Sequence, residues 1–360
     1  MKHNWEYKKL GEVCDIKTGK LDANAASPNG EYPFFTCSKE TLRIDNYSYD
    51  EECVLIAGNG DLNVKYYNGK FDAYQRTYII TLKDIPMPIS MTYLYMFFSK
   101  YIEHLRQICI GGVIKYIKLN NLTDTLIPLP PLPVQERIVE ELDRLSLILE
   151  KKKQQIKELD SLAQSIFYDM FGDPIENEKG WEMKPISEIA RFYNGKAHEQ
   201  AIDEKGEYVL VNSKFISSNG MIKKRTNLQL CPLFINDITM VMSDVPNGKA
   251  LAKCYLIDKD NIYTLNQRIC VFRDYQILPQ YLLFALNRNK YFLNFNDGNG
   301  QTNLRKNEVE KCPIQMPPLD LQQSFAKKIE AIEKQKELIN QSIKEVQLLF
   351  DAKMDYYFGD

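Results

Sequence analysis

Apolar residues fall into two kinds of pattern along this chain: short clusters in two stretches, and steps of three and four in two others. "CVLIAG" (53–58) and "TYIITL" (77–82) are β-branched or aromatic runs bounded by turn residues, which predicts strands. "AGNGD" (57–61) predicts a tight turn between strands, and "TYLYMFFSKYIEHLRQICI" (92–110) a helix. Later, "LVNSKFI" (210–216) and "RICVFRD" (268–274) predict strands, and "PQYLLFALNRNKYFLNF" (279–295) a helix. A glycine pair, 111–112, follows the first of these helices, and "GNG" (298–300) follows the second.

The other pattern is helical and narrow. From Ile138 it runs through Leu142, Leu145, Leu149, Lys152, Ile156, Leu159, Ala163, Ile166 and Met170. At a constant offset of 187 it returns as Phe325, Ile329, Ile332, Lys336, Ile339, Ile343, Val346, Phe350, Lys353 and Tyr357. A stripe this thin, held over four heptads, is a coiled-coil seam, and the obvious partner of each helix is the other. Each helix follows a proline-rich hinge, "IPLPPLPVQERI" (127–138) or "IQMPPLDLQQSF" (314–325), and each closes on Phe-Gly-Asp, at 171–173 and 358–360. Pro131 and Pro133 favour extended backbone and predict a stop before the helix.

The halves also share their beginnings. "WEYKKLGEVCDIKTGK" (5–20) aligns with "WEMKPISEIARFYNGK" (181–196) at an offset of 176, which pairs the only two tryptophans and also Gly19 with Gly195. "GEY" recurs at 30–32 and 206–208, Gln75-Arg76 matches Gln267-Arg268, and Tyr93-Leu94 matches Tyr281-Leu282. Shared ends with a middle free to vary in length describe a duplicated architecture whose loops have diverged. The expected fold is α+β: two similar mixed α/β heads, residues 1–133 and 174–320, joined by two long antiparallel coiled-coil helices, 134–173 and 321–360. A perpendicular pseudo-twofold, as in a dimer fused into one chain, would set a head near either end of the helical pair.

Composition narrows the function classes. With 44% hydrophobic and 26% charged residues, the 360-residue chain reads as ordinary soluble protein. No apolar run reaches membrane-spanning length and the first residues are no signal peptide, so a cytoplasmic location is expected. The heads carry net charges of 0 and +2 and the helical segments −3 and −1, so DNA affinity of the chain alone should be modest. Eight scattered cysteines without a C-x-x-C pair, and three histidines, argue against zinc. Four Gly-Lys pairs (19–20, 69–70, 195–196, 248–249) lack the spacing of a P-loop. H-E-x-x-H and G-x-S-x-G motifs, and the Asn/Asp-Pro-Pro-aromatic motif of amino-methyltransferases, are missing as well. "EMK" (182–184) matches a nuclease Glu-x-Lys only trivially.

The paired openings, the Gln-Arg pairs read as part of strands, "GNGQTNLRKNEV" (298–309), and above all the two proline hinges feeding helices that end on Phe-Gly-Asp resemble one family along the whole chain. It is similar to the specificity (S) subunits of type I restriction–modification systems. The resemblance implies a non-catalytic subunit with two target recognition domains, each reading one half of a bipartite, asymmetric site in double-stranded DNA. It implies two adenine methyltransferase (M) subunits docked around the spacer helices, bringing S-adenosylmethionine, and restriction (R) subunits that can join with ATP and magnesium. No cofactor is expected in this chain. The first half departs from the pattern at "GGVIKYIKLNNL" (111–122), which lacks the Gln-x-Asn of the second.

Residue chemistry then selects candidate DNA contacts, since Arg and Gln reach base edges while Lys, Ser and Asn position the backbone. In the first head they are Lys20, Ser38, Lys39, Asn59, Gln75, Arg76 and Lys115. In the second they are Lys196, Asn212, Ser213, Lys214, Ser243, Gln267, Arg268, Gln301, Asn303 and Arg305. Arg76 and Arg268, shared by both heads, either read DNA or serve as structural ion-pair residues. Lys223-Lys224-Arg225 is a solvated turn or a phosphate contact. Candidate coiled-coil and partner-subunit positions are Ile138, Leu142, Leu145, Leu149, Ile156, Leu159, Ile166, Ile329, Ile332, Ile339, Ile343, Val346 and Phe350. Two rival classes are a self-contained enzyme on DNA, which the missing motifs disfavour, and a coiled-coil adaptor for protein.

Deleting one heptad from each long helix is expected to shorten the gap between half-sites by about 10 Å, roughly three base pairs. Mapping the recognised sequence measures it, and an unchanged gap contradicts a spacer role.

Overall fold

The structure, a computed structural model, describes residues 5–84, 88–111, 114–245, 249–296, 298 and 300–359. Gly112, Val113, Gly248, Asn299 and Asp360, named in the motifs above, lie outside the described residues. The chain divides into two compact units, Met1–Lys153 with Asn340–Asp360, and Gln154–Ile339.

In the first unit the order is β1 (Glu6–Lys9), α1 (Leu10–Val13), β2 (Cys14–Thr18), β3 (Tyr32–Phe35), β4 (Leu42–Ile44), β5 (Tyr49–Ala57), β6 (Val64–Ala73), β7 (Thr77–Leu82), α2 (Met91–Ile108), α3 (Leu119–Thr123) and β8 (Leu126–Leu129). Then α4 (Leu132–Phe171) starts. Strands β2-β7-β5-β6-β3-β4 form a six-stranded sheet, antiparallel except for β3 beside β6, and β1 pairs β8 separately. Alternation decides which face each residue joins. Val54, Ile56 and Ile80 lie under Leu94, Phe97 and Phe98 of α2, whereas Cys53, Leu55 and Ile79 join Phe35, Tyr49 and Phe71 in a second cluster.

The second unit repeats this order: β9 (Met183–Pro185), α5 (Ile186–Ile189), β10 (Arg191–Asn194), β11 (Tyr208–Val211), α6 (Ser213–Ser217), β12 (Lys224–Thr226), β13 (Ile238–Val241), β14 (Ser243–Asp244), β15 (Cys254–Leu256), β16 (Tyr263–Leu265), β17 (Ile269–Arg273), α7 (Pro279–Leu286), α8 (Lys290–Leu293), β18 (Thr302–Asn303), α9 (Lys306–Glu310) and β19 (Pro313–Gln315), followed by α10 (Leu319–Phe358). Its sheets run β10-β17-β13-β15 and β12-β11-β16. The place of the long β6 is taken by β15 and β16, so one sheet becomes two while the strand order is kept. The faces alternate as before, Cys270 and Phe272 into one core and Ile269, Val271 into the other.

Several paired positions have one physical job in both units. Gly19 and Gly195 each sit where a Cβ would lie 2.0 Å from a backbone carbonyl oxygen, of Ala73 and Asn266. The Tyr93 hydroxyl donates to the Pro128 carbonyl and that of Tyr281 to the Gln315 carbonyl, both at 2.9 Å. Gln135 and Gln322, the glutamines of the two hinges, are 1% and 3% exposed. Gln135 accepts from the Ser90 N–H (3.0 Å) and donates to the Pro130 carbonyl (2.8 Å). Gln322 accepts from the Leu278 N–H and donates to the Pro317 carbonyl, both at 2.9 Å. These bonds tie the hinge and first helical turn to the segment that opens α2 or α7.

Each unit contains the first half of one long helix beside the second half of the other, so the pair is antiparallel. None of the twenty seam positions is exposed. In the first unit Glu141 meets Lys353 at 2.7 Å and the Tyr357 hydroxyl at 2.6 Å. In the second, Lys336 meets Asp160 at 2.7 Å and Glu333 at 2.8 Å. Burial opposes the Lys336 charge, but its two carboxylate hydrogen bonds outweigh that and raise its pKa. The seam ends in aromatics: Phe171 on Tyr281 (centroids 4.7 Å) and Phe358 on Tyr93 (5.4 Å).

Four expectations need correction. The helix begins at Leu132, so Pro133 stands in its first turn, where a missing N–H costs nothing. "LVNSKFI" is strand only to Val211, because the Asn212 side chain accepts from the Phe215 N–H and caps α6. The helix expected over 279–295 breaks at Arg288 (φ 55°), and Asn289 caps a new one. Gln75-Arg76 and Gln267-Arg268 lie in turns between strands, not in strands. Among the described residues no helix is long and apolar enough to cross a membrane.

Replacing Gln135 or Gln322 by Ala strands a buried N–H and C=O, and is expected to cost about 1–3 kcal/mol. Chemical denaturation of each variant measures it, and an unchanged midpoint contradicts the proposed lock.

Candidate nucleic-acid interface

In the first unit hydrogen bonds draw the loop after β3, the β5–β6 connection and the β6–β7 turn together into one loop end. The β5–β6 loop is the hub. The Gly58 N–H donates to the Arg76 carbonyl (2.8 Å) and the Gly60 N–H to the Lys115 carbonyl (2.9 Å), and Asn59 bridges Tyr116. Asn63 donates to the Cys37 carbonyl at 2.9 Å and Lys65 to the Ser38 carbonyl at 2.5 Å. Lys20 comes next to the same turn, since the Gln75 N–H donates to the Leu21 carbonyl at 2.9 Å. All seven candidates of this head thus converge. Lys20, Ser38, Lys39, Gln75, Arg76 and Lys115 are exposed, and Asn59 is half-buried.

Charge is not evenly available there. Lys39 is tied to Asp61 at 2.9 Å, and that hydrogen bond, then its charge, holds the Asp61 carboxyl below its usual range. Among the described residues Lys20, Arg76 and Lys115 make no ion pair, so the ion-pair alternative for Arg76 has no partner there.

The second unit builds the same end from the same backbone bonds. The Met242 N–H donates to the Arg268 carbonyl (3.0 Å), as Gly58 does to Arg76, and the Asn266 N–H reaches the Val211 carbonyl (3.0 Å) beside Asn212. Lys196 bridges Asn266. Ser243, 9% exposed, is the hub: it receives the Gln301 amide at 2.6 Å and donates to Asn303 Oδ1 at 2.6 Å. Lys196, Lys214, Gln267, Arg268, Gln301, Asn303 and Arg305 are exposed, and Asn212 and Ser213 half-buried. Asn212 spends its oxygen on the cap of α6, and the Arg305 N–H is held by Glu308 at 2.7 Å. Arg268, with φ 68°, makes no ion pair among the described residues. The Ser243–Asn303 pairing occupies the position of Asn59–Tyr116, and Gln301 that of Ile114, which is 62% exposed.

Sequence reasoning missed the bracing residues Asn63 and Lys65, which have no counterpart pattern in the second half. It also missed His198, buried at 2%, whose Nδ1 lies 2.7 Å from the Lys196 carbonyl and Nε2 3.0 Å from the Thr264 hydroxyl. None of the thirteen seam candidates is exposed. The outward apolar residues of those helices are others, among them Leu147, Ile148, Leu348 and Leu349 in the first unit and Leu162 and Leu338 in the second.

A family described as type I restriction modification DNA specificity domain matches residues 2–159 and 178–348. The type I restriction enzyme EcoDI specificity subunit of Escherichia coli is 38% identical over 161 residues, 45% of this chain and 35% of that protein. The match thus spans about a third of that relative's length. The crystal structure of the S subunit of a type I restriction–modification system from M. genitalium aligns over 99% of this chain and 96% of its own, with TM-score 0.56 and 14% identity. A chain from a study of complex assembly and conformational transition of the type I R-M system aligns over 98% and 97%, with TM-score 0.57 and 16% identity. At those identities the structural likeness speaks for the fold.

Asp61 is expected to titrate below the ordinary carboxylate range of about 3.9, and Lys39→Met to bring it back up. Because its folded value is the lower one, the pair is kept above that value and lost as pH falls through it. Carboxyl-carbon chemical shifts against pH measure this, and no difference between the two proteins contradicts the pairing.

Proposed function

The chain belongs to the type I restriction modification DNA specificity family, and on that premise we propose that it is the non-catalytic subunit that selects the DNA sequence. Each unit reads one half of a bipartite site in double-stranded DNA. The observation that carries this is the duplicated loop end: one backbone scaffold, built twice, presents different side chains at equivalent places. Ser243, Gln301 and Asn303 stand where the first unit has Asn59, Ile114 and Tyr116. A shared frame with divergent tips suits two different half-sites, because base edges are read by side chains while the frame sets their position.

The chemistry belongs to partners. Two methyltransferase subunits, carrying S-adenosylmethionine, dock on the long helices through outward apolar side chains such as Leu147, Ile148, Leu348 and Leu349. Restriction subunits, with ATP and magnesium, join the same assembly. The near-neutral heads fit this division, since partners would supply much of the phosphate grip.

Selection of randomised duplexes by the chain with its methyltransferase partner tests the proposal. Binding should fall steeply with salt, and the selected motif should be split. Gln75→Ala with Arg76→Ala should relax one half-site by about 1–3 kcal/mol per lost base contact and leave the other intact. The Gln267→Ala, Arg268→Ala pair should do the reverse. Loss at both half-sites from either pair, or binding insensitive to salt, contradicts the assignment.

A further inference from the structure

The connection between β11 and β12 runs over 212–223, twelve residues, against six (36–41) between β3 and β4. The extra length ends in an exposed apolar pair, Met221 at 80% and Ile222 at 54%. Met221 is the most exposed large apolar side chain among the described residues. An isolated surface apolar residue needs no explanation, but this pair is held out by a built turn. The Gly220 N–H donates to the Phe215 carbonyl at 2.8 Å and the Met221 N–H to the Ser218 carbonyl at 3.1 Å. The Ile222 N–H donates to Ser218 Oγ at 2.9 Å, and that hydroxyl donates to the Phe215 carbonyl at 3.1 Å. Asn219 and Gly220 take φ of 49° and 77°, and a Cβ on Gly220 would press on Tyr255 Oη at 3.1 Å. Phe215, fully buried against Tyr255 and Tyr263, anchors the turn from beneath.

Position and charge indicate what the pair meets. β12 is antiparallel to β11, with Lys224 beside Leu210, so residues 221–223 emerge at the end of the sheet where Asn212 and the 266–268 turn lie. Leu228, another exposed apolar residue of this head, follows the far end of β12. Directly after Ile222 come Lys223, Lys224 and Arg225, all exposed, and neither lysine makes an ion pair among the described residues. Arg225 is tied back to the Gly206 carbonyl at 3.0 Å. Two apolar side chains on a stiff turn, with cations beside them, match the way proteins press an apolar wedge between base pairs while gripping adjacent phosphates.

We propose that Met221 and Ile222 form a wedge that enters duplex DNA at one base step of the second half-site and partly unstacks it, with Lys223 and Lys224 on the flanking phosphates. This rests on the DNA-recognition reading above. The first unit, with its shorter connection, reads its half-site without such a wedge.

The test uses the full chain with its methyltransferase partner. Randomised duplexes are selected first, and 2-aminopurine is then scanned through both half-sites of the selected sequence. A severalfold fluorescence rise at one step of the second half-site is expected. Met221→Ala with Ile222→Ala should abolish the rise and weaken binding about tenfold without changing its salt slope. Lys223→Ala with Lys224→Ala should keep the rise and reduce the slope by about two. A selected duplex that gives no rise at any step, or a rise that survives in the apolar double variant, overturns the wedge but leaves the recognition role standing. So does a tenfold loss on replacing thymine by deoxyuridine at that step, which would make the pair a reader of the thymine methyl group. If no duplex is selected, both the wedge and the recognition role fall.

Discussion

Everything in this architecture depends on how the backbone passes from a small sheet into a forty-residue helix. At each passage one buried glutamine holds the hinge. Its amide bonds the carbonyl of Pro130 or Pro317, and its oxygen takes the N–H that opens the neighbouring helix, at Ser90 or Leu278. A buried tyrosine hydroxyl adds a second tie one strand away, to Pro128 or Gln315. Each such bond is worth only about 1 kcal/mol net, yet breaking one strands buried polar groups at larger cost. The joint is therefore held by buried bonds within each unit, at the start of a helix roughly 60 Å long at ~1.5 Å per residue.

The seam between the helices is apolar with three charged exceptions, Lys152, Lys336 and Lys353, and the last two are paired. Lys336 finds Asp160, and Lys353 finds Glu141. A polar group inside a coiled coil costs stability and selects one register. The aromatic ends, Phe171 on Tyr281 and Phe358 on Tyr93, fasten the last turn of each helix to a globular core, so both ends of the seam are held. Beyond this frame the units are free to differ. They do so in the sheet, where β6 is replaced by β15 and β16, and at the loop end, where Ile114 holds the place of Gln301.

The duplication, the long helices, the hinges and the class of fold were all legible in the sequence, because each rests on a repeated local signal: a heptad, a proline pair, a tryptophan–glycine opening. The convergence of the candidate residues was legible only in part. Gln75-Arg76 and Gln267-Arg268 stood out as a shared pair, but turn and strand could not be told apart without knowing that Arg268 takes a positive φ. The Asn212 cap and the Arg288–Asn289 break overrode an apolar run through local hydrogen bonding, which periodicity does not see. Gln135 and Gln322 were visible as letters in both hinges, but their burial and bonding depend on segments more than forty residues away. Lys65 and His198 gave no signal, since each acts through tertiary contacts that periodicity does not see.

The central claim is that two diverged heads built on one repeated scaffold select a split DNA sequence for a methylating partner. The measurement that reaches it most directly is a genome-wide map of methylated adenine in cells carrying this gene, and again after its deletion. The account predicts one asymmetric motif of two short blocks around an unread gap of constant length, present in the first map and absent from the second. An identical pattern in both maps, with the methyltransferase partner expressed, would contradict it.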